Sequence, residues 1–595
     1  MKDLTEDDKS RIIKAIQAGS PLTDSDLQLL FPQNSEPRLY WPQKSARPLP
    51  QGFIQHQVEF NPKDTEPTSS WKNHLFNGDC LSVLSILKST HLNETIQQHG
   101  GIKLIYMDPP FDVGADFKLK QTIGPNSRQT KFSPVAYRDS WSQHSTELLN
   151  LLYSCFVHIH ALLADDGSFY VHCDWRLSGV IRLMLDEIFG KAQHRNEICW
   201  RYNSRTMASQ WFARKHDSIF VYSKGCSPIF NTDAVRTPHK PESKSQYNKI
   251  DSDGRSYKPQ SNGKRSYLNP LGQPCSDVWD IQLLGSRTPE RSGYPTQKPL
   301  ALLERIIKAA SNEGDIVADL FCGSGVMAEA AHRLNRRWLA ADIGPLAIQT
   351  TSKRMLSKTV KASFMRSDCG SDQSIANHID WHKMLNHTPQ SGVKLVTQYN
   401  TVTAACLQNI CTEAEEKEII VLALEYSPNS LEWLLENRNK FCVSLKIIPR
   451  HQVYSVPKNP IFCMPALCPR FQIHRSKTGF EIEIKDIKVM DTHPQSNAPF
   501  EVIEAHLYSR SNKNEAPKQL THSWSDWIEG WTVEMPNQSG HSAVWHHFRD
   551  KKTRALVFLS HTIGAVNQSK ITVTLYDVFG YSHRRTISLQ HQSEE

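Results

Sequence analysis

Several signatures of other protein classes are missing from this sequence. Its 13 cysteines include no Cys-x-x-Cys pair, so no zinc site is predicted, and scattered free thiols are typical of a reducing cytoplasm. The first residues are charged and amphipathic rather than signal-like, and residues 148–164 are too short and too polar for a membrane span. No internal repeat is evident. We therefore expect a cytoplasmic protein without a metal centre and without membrane contact.

Basic residues are concentrated in one part of the chain. The formal net charge of the 595 residues is +8, which permits but does not require a polyanionic partner. Residues 200–269 contain 13 Lys or Arg residues and 5 Asp or Glu residues, so this block alone accounts for the surplus. Lys and Arg can contact phosphates, and Arg, Asn and Gln can read base edges. The block is either a DNA-contacting segment or an ordinary solvated loop.

One short apolar run ends in a chemically distinctive cluster. Ile102–Met107 has the length and composition of a buried parallel strand, and Asp108, Pro109, Pro110 and Phe111 follow at once. The prolines prevent both a helical turn and a paired strand, and open α/β sheets bind ligands at the carboxyl ends of their strands. The Asp108 carboxylate and the Pro109 carbonyl can accept the two hydrogens of an exocyclic amine, and Phe111 can stack on its ring. The alternative is a proline-terminated strand with an N-capping Asp.

A second segment predicts a cofactor site. Residues 316–320 are a strand candidate, a turn with Gly323 and Gly325 follows, and residues 326–334 favour a helix before a second strand ends at Asp342. Glycines at such a turn let a ligand approach the backbone at a helix N-terminus, and an acid about twenty residues later can bind ribose hydroxyls. No third glycine for a pyrophosphate is present. This favours a nucleoside cofactor without phosphates, such as S-adenosylmethionine (SAM), although an isolated G-x-G can equally be a structural turn.

Together these segments resemble the motifs of the amino-group DNA methyltransferases, in which D-P-P-Y/F holds the target amine and F-x-G-x-G holds SAM. The catalytic motif comes first here, as in the β class of that family. Three further segments resemble the family: W-x-N-x-L-x-x-G-D-x-L at residues 71–81, HD-x-I-L-x-Y-S-K at 216–224 and YPTQKP at 294–299. The resemblance covers residues 1–355. Within the family, this part of the chain is similar to the modification subunits of type III restriction systems. Leu320 and Asp342 depart from it, because many relatives have Pro and Glu there.

The resemblance implies a Rossmann-like SAM-dependent α/β core, a mostly parallel sheet with helices on both faces, followed by a C-terminal α/β to β-rich region. It implies transfer of a methyl group from SAM to the N6 amine of an adenine flipped out of double-stranded DNA. Asp108, Pro109, Pro110 and Phe111 would hold the target base. The residues expected to line the cofactor site are Asp79, Thr296, Gln297, Lys298, Asp319, Phe321, Gly323, Gly325 and Asp342.

The order of the motifs predicts five parts of the chain. The basic block overlaps the interval in which β-class enzymes carry a target-recognition insert, and its candidate DNA-binding residues are Arg201, Arg205, Arg214, Lys258, Lys264 and Arg265. The expected parts are an N-terminal helical arm (1–65), the catalytic half of the core (66–225), the target-recognition insert (226–290), the SAM-binding half of the core (291–358) and a C-terminal accessory region (359–595).

Alternatives to adenine methylation remain at the level of the sequence. Cytosine also carries a ring-attached amine, so N4-cytosine methylation is the rival within the class, although Asp in the first motif position resembles the adenine enzymes more often. A non-catalytic DNA-recognition subunit that keeps the fold, and an RNA methyltransferase, are rivals outside it. The resemblance also implies a restriction-modification or phage-defence system, in which a homodimer and a restriction subunit with nuclease or helicase activity are the expected partners.

Overall fold

The architecture is given by a computed structural model of the chain. It describes residues 5–18, 23, 26, 39–41, 44–61, 71–123, 130–139, 141, 145–204, 208–285, 287–371, 393–414, 418–437, 440–447, 464–476, 478–489, 523–537, 540–549, 554–564 and 570–589.

Three of the described helices begin at a residue whose side chain caps the first turn. Thr5 forms a capping box with Asp8 at the start of the first helix, and the Asp79 carboxylate accepts a hydrogen bond of 3.0 Å from the Ser82 N–H in the first turn of the second. The described helices are α1 Glu6–Gln17, α2 Cys80–Leu87, α3 Thr90–Gln98, α4 Ser145–Leu162, α5 Ser178–Phe189, α6 Pro241–Ser245, α7 Leu300–Ala310, α8 Val326–Arg333, α9 Pro345–Met355, α10 Ala404–Thr412 and α11 Pro428–Asn437.

The strands are short and numerous. They are β1 Gly52–Phe60, β2 His74–Asn77, β3 Ile102–Met107, β4 Ala115–Lys118, β5 Gln121–Ile123, β6 Thr130–Phe132, β7 Val135–Asp139, β8 Leu163–Cys173, β9 His194–Arg201, β10 His216–Ser223, β11 Lys249–Ile250, β12 Ser256–Pro259, β13 Arg265–Tyr267, β14 Val278–Asp280, β15 Ile316–Asp319, β16 Arg337–Asp342, β17 Phe364–Ser371, β18 Val393–Val402, β19 Glu418–Tyr426, β20 Val443–Ile447, β21 Met464–Pro465, β22 Leu467–Arg475, β23 Gly479–Val489, β24 Ile528–Asn537, β25 Gly540–Phe548, β26 Ile563–Gly564, β27 Lys570–Asp577 and β28 Ser582–Ser588.

A continuous run of parallel strands forms the centre of the main sheet. Its order is β8-β3-β15-β16-β2-β17, and every neighbouring pair in this run is parallel. Antiparallel β10 and β9 extend the sheet beyond β8, and β14 pairs with β9 in parallel. The predicted α/β fold with a mostly parallel sheet is therefore confirmed.

Alternate residues of the central strand pack on opposite faces of the sheet. Ile105 and Met107 of β3 belong to a core that includes residues of α2, α4 and α5, whereas Leu104 and Tyr106 belong to a core with residues of α7, α8 and α9. All four side chains are buried. A strand that is covered by helices on both faces reads as a continuous apolar run, which explains the pattern seen in the sequence.

The sheet continues into the C-terminal part of the chain. β1 pairs antiparallel with β17 and parallel with β25, after which β24, β27 and β28 follow. A separate sheet, β18-β19-β20-β21, is parallel over its first three strands, and β22, β23 and β26 form an antiparallel sheet. The C-terminal region thus has both α/β and β-rich portions, as expected. The domain boundaries themselves stay predictions.

A buried ion cluster ties the C-terminal strands to the helix that follows β16. Glu529 of β24 is buried, and its carboxylate lies 2.5 Å from the Lys353 ammonium of α9 and 3.0 Å from the Arg554 guanidinium. Burial alone would raise the pKa of Glu529, but these two cations hold it below its ordinary value. Gln349, also on α9, donates a 2.8 Å hydrogen bond to the Asp577 carbonyl.

Removing this carboxylate should destabilise the contact between the two regions. We expect Glu529→Ala to lower the free energy of unfolding by about 3–5 kcal/mol, because Lys353 and Arg554 would be left without their counter-charge. The midpoint of urea unfolding measures the change. The matched control is Glu436→Ala, an exposed position on α11, which should change stability by less than about 0.5 kcal/mol. Equal urea midpoints for the two variants would contradict the prediction.

Candidate active site

The loop after β3 is held in place by one buried carboxylate. The Asp139 side chain, 2% exposed, accepts backbone hydrogen bonds from Phe111 at 3.0 Å, Asp112 at 2.7 Å and Val113 at 3.2 Å. Burial raises the pKa of Asp139 although these three N–H groups favour its charged form. Asp112 has a φ of 57° and accepts a 2.8 Å bond from the Trp141 N–H. These hydrogen bonds fix the conformation of the loop. Two prolines and one residue with a left-handed backbone restrict the alternatives further.

Asp108 presents one occupied and one unoccupied oxygen. Its Oδ2 is paired with the Lys298 ammonium. Its Oδ1 is buried and accepts no hydrogen bond from the described residues; Nδ1 of His172 lies 3.6 Å from it. Buried acceptors are nearly always satisfied in native structures, so an unpaired one at the carboxyl end of a central strand indicates a place for a donor from a ligand.

The ring of Phe111 borders the same space. The ring is half-buried. Its centroid lies 5.8 Å from the centroid of the His172 ring and 5.8 Å from the Lys298 ammonium. The Asp108 carboxylate and the Phe111 ring, both close to His172, therefore lie together at the carboxyl end of β3. The base-holding role of these residues stays a prediction.

The glycine turn lies beside this loop because β15 runs parallel to β3, with Asp319 opposite Tyr106. Gly323 and Gly325 have φ values of 49° and 74°. A Cβ on Gly323 would lie 3.2 Å from the ring of Tyr294, and a Cβ on Gly325 would lie 2.6 Å from Thr351. Both positions therefore need glycine, for conformation and for space.

Asp342 closes the turn at the end of β16. Its carboxylate accepts hydrogen bonds from the backbone N–H groups of Gly323 at 2.8 Å and Gly344 at 2.7 Å. Burial raises its pKa to about 6, even though these two donors favour the carboxylate. Each oxygen retains a lone pair, so the side chain can still accept from a ligand hydroxyl. The turn, the adjoining glycine backbone and this acid together fit a nucleoside with an open ribose edge.

Asp319 is a further enclosed acid of the site. It lies between Asp108 and Asp342, is 4% exposed, and accepts a 3.1 Å bond from the Phe321 N–H. Burial raises its pKa well above the ordinary value, and the charges of Asp108 and Asp342 add to this. Phe321 itself is half-buried at the mouth of the turn.

The other predicted cofactor residues lie around the same edge, in different settings. Thr296 has a φ of 55°, and its hydroxyl lies 2.9 Å from that of Tyr137. The Gln297 amide is engaged within its own loop, accepting from the Ser292 N–H at 2.7 Å. Asp79 acts as the cap of α2. Their cofactor contacts stay predictions.

The basic residues proposed for DNA binding are spread over an exposed surface. Arg201 forms a bidentate pair with Asp280, at 2.5 and 2.7 Å; Arg214 lies 3.8 Å from the centroid of the half-exposed Trp175 ring; Arg265 lies 4.8 Å from that of Tyr257. Lys258 donates to Gln246 and Lys264 is exposed. Arg205 falls outside the described residues.

Sequence reasoning missed a second layer behind Asp108. His172 on β8 contacts Asp217 on β10, Tyr106 on β3 and the Trp200 ring on β9. Asp217 belongs to the segment that resembles HD-x-I-L-x-Y-S-K, which was a signal for it. Nothing in the local sequence distinguishes His172, because the contact depends on three strands that are distant in the chain.

Two searches of the described part of the chain found nothing. No group of three or more His, Cys, Asp or Glu side chains in it could hold a metal ion. None of its helices is long and apolar enough to cross a membrane.

Comparison with known proteins places this geometry in a family. A protein-family model described as DNA methylase matches residues 102–353. The type II methyltransferase M1.MboII of Moraxella bovis is 30% identical over 215 residues, covering 34% of this chain and 78% of that protein. M.HpaI of Haemophilus parainfluenzae, also a type II methyltransferase, is 27% identical over 322 residues, covering 52% of this chain and 86% of that protein. The Mod subunit of the type III restriction-modification enzyme StyLTI of Salmonella typhimurium is 24% identical over 346 residues, covering 44% of this chain and 50% of that protein.

The matched segment begins at the first residue of β3 and ends within α9, so it contains the Asp108 loop, the glycine turn and Asp342. The prediction of a DNA methyltransferase that uses SAM is confirmed at the level of the family. By this match, and by its identity to M1.MboII over most of that protein's length, the chain belongs to the DNA methylase family, whose members methylate exocyclic amines of adenine or cytosine.

Proposed function

We propose that this protein transfers the methyl group of SAM to the N6 amine of an adenine that is flipped out of double-stranded DNA. The observation that carries the proposal is the buried Oδ1 of Asp108, which accepts no hydrogen bond from the described residues and lies at the end of β3, next to the strand that leads into the glycine turn. A base must leave the duplex to reach an acceptor at this depth.

The chain's own groups account for the chemistry of the amine. The amine lone pair is delocalised into the base ring. Donation of its two hydrogens to Asp108 Oδ1 and to the Pro109 carbonyl would localise the lone pair on nitrogen and aim it at the donor. The ion pair with Lys298 holds Asp108 in one orientation, and Phe111 would hold the base plane by stacking. Much of the rate then comes from orienting two reactants.

The cofactor side follows from the turn and the acid beside it. SAM would supply an electrophilic methyl group on its sulfonium: the amine nitrogen would form a bond to that carbon as the carbon–sulfur bond breaks, S-adenosylhomocysteine would leave, and the methylated nitrogen would then lose one proton to solvent. Asp342 would accept from the ribose hydroxyls, Gly323 and Phe321 would shape the pocket, and Lys298 would meet the methionine carboxylate. Thr296, Gln297, Asp319, Gly325 and Asp79 would complete or support the pocket.

Adenine is favoured over cytosine because the motif begins with Asp, which resembles the adenine enzymes more often than the cytosine enzymes. The likeness to a Mod subunit supports a role in a restriction-modification or phage-defence system with a restriction subunit as partner. We further propose a homodimer and a cytoplasmic location.

Identification of the methylated nucleoside by mass spectrometry, after incubation with unmodified DNA, decides between N6-methyladenine and N4-methylcytosine.

The DNA-facing surface combines cations with exposed rings. Trp175, Trp211 and Phe212 are 52%, 62% and 97% exposed, and Arg214 lies over the ring of Trp175. Trp175 follows β8 at the same end of the sheet as Asp108. Aromatic rings of this kind can stack on unpaired bases, and we propose that they border the entry path of the flipped base, with residues 226–290 selecting the sequence.

Asp108→Ala should lower kcat for methyl transfer at least about 100-fold, because one hydrogen bond of the transition state is lost. SAM affinity, measured by calorimetry, should change little, since Asp108 lies beside the cofactor pocket. Asp165→Ala is the matched control: this exposed acid lies at the opposite end of β8 and should leave kcat unchanged. Near-normal turnover of a folded Asp108→Ala protein would refute the assignment.

The raised pKa of Asp342 predicts a pH dependence of SAM binding. The carboxylate accepts from both ribose hydroxyls, whereas the protonated acid loses acceptor capacity, so affinity should fall as the pH drops through about 6. If the charged form alone binds tightly, affinity at pH 5 should be about tenfold weaker than at pH 7. Asp342→Asn should bind weakly with little pH dependence. Calorimetry over this range measures both proteins, and parallel pH profiles would count against the ribose contact.

Neutralising Lys258, Lys264 and Arg265 together to Gln should weaken DNA binding and flatten its salt dependence. Loss of three phosphate contacts should reduce the slope of log K against log salt by about 2–3. The control replaces three exposed lysines outside the insert, Lys191, Lys440 and Lys570, with Gln. Fluorescence anisotropy with a labelled duplex measures the slopes, and identical slopes for the two triple variants would remove these residues from the DNA interface.

A further inference from the structure

A fully buried histidine stands behind the Asp108 carboxylate. His172 is 0% exposed. Its Nε2 lies 3.2 Å from Oδ2 of Asp217, while its Nδ1 lies 3.0 Å from the Tyr106 hydroxyl and 3.6 Å from Oδ1 of Asp108. A histidine enclosed between two acids costs desolvation energy, and a plain apolar side chain would fill the same space.

The hydrogen-bond network assigns the tautomer of this ring. Burial alone would raise the pKa of Asp217, but hydrogen bonds from the His172 ring and the Tyr202 hydroxyl, with the charge of Lys298, bring it below its ordinary value. Asp217 is therefore a carboxylate, which can only accept. The proton of a neutral His172 must then be on Nε2, where it is donated to Asp217.

The other nitrogen then carries a lone pair. The Tyr106 hydroxyl donates to Nδ1, and burial raises the pKa of this tyrosine well above its ordinary value, so the donor proton is retained. Nδ1 consequently has no proton to offer to Asp108. Asp108 Oδ1, 3.6 Å from this nitrogen, accordingly receives no proton from the ring.

We propose that Asp217 and His172 form a tautomer lock that keeps Asp108 Oδ1 available as an acceptor for the target amine. In the opposite tautomer, or in the imidazolium, Nδ1–H would donate to Oδ1 and compete with the amine. His172 and Asp217 are thus positioning residues that act through Asp108. The inference rests on the proposed function in one respect, that Asp108 accepts from the amine.

Side chains from three neighbouring strands surround the His172 ring. Tyr106 and Asp108 face it from β3, Asp217 from β10, and Trp200 from β9, with Tyr202 donating to Asp217 at 3.0 Å. Lys298 is held on the far oxygen of Asp108.

The decisive variant is Asp217→Asn. Its amide can donate to Nε2, which moves the ring proton to Nδ1 and directs it at Asp108. We expect kcat to fall about 100-fold, the size found for losing one transition-state hydrogen bond, while SAM affinity stays within about twofold. In His172→Phe no ring proton can reach Asp108, so most activity should remain.

The double variant separates a tautomer lock from a structural role. His172→Phe should restore activity to Asp217→Asn, because the competing donor has been removed, whereas two structural defects would add. Asp165→Asn, at the other end of β8, is the matched control and should behave as the wild type. A double variant no more active than Asp217→Asn, with both proteins folded by circular dichroism, overturns the proposal.

A measurement on the unaltered protein does not depend on activity. With 15N-labelled histidine, the His172 resonances, assigned by their loss in His172→Phe or, if it does not fold, His172→Gln, should show a protonated Nε2 and an unprotonated Nδ1 at neutral pH. A protonated Nδ1 overturns the lock. If the tautomer is as expected but Asp108→Ala remains active, the proposed function fails instead, so the two failures are distinguishable.

Discussion

The parallel pairing of β3 with β15 is the constraint on which the site depends. Because Asp319 lies opposite Tyr106 in that register, the residues that follow both strands emerge at one edge of the sheet. The Asp108 loop and the glycine turn, separated by about two hundred residues of sequence, become neighbours in this way. Helices packed on both faces of the sheet leave that edge as the open place for a ligand.

Three acids at this edge differ in what surrounds them, and their chemistry differs accordingly. Asp108 has a lysine on one oxygen, and none of the described residues donates to the other. Asp342 accepts two backbone N–H groups, and burial places its pKa at about 6. Asp319 is enclosed, and burial keeps its pKa well above the ordinary value. Identical side chains are thus suited to an amine acceptor, a hydroxyl acceptor and a structural group, through desolvation and hydrogen bonding alone.

The C-terminal region is joined to the cofactor half through strong contacts rather than through a loose linker. Glu529 bonds Lys353 on the helix that follows Asp342, and Arg554 reaches the Thr122 carbonyl. The main sheet also passes from β1 into β25 without interruption. A perturbation of these strands can therefore be felt at α9, next to the cofactor turn, which gives the accessory region a physical route to the site.

The sequence by itself determined the strand-loop segments, since their signals are local: an apolar run before Asp108, a glycine turn before α8, and an acid at the end of β16. It also determined the α/β class, because strand, turn and helix segments follow one another along the chain. Only the tertiary structure decided which atoms of Asp108 are occupied and that His172 lies behind it. Those contacts join strands far apart in the chain, and burial, which sets the state of each acid, exists only once the sheet and its helices have assembled.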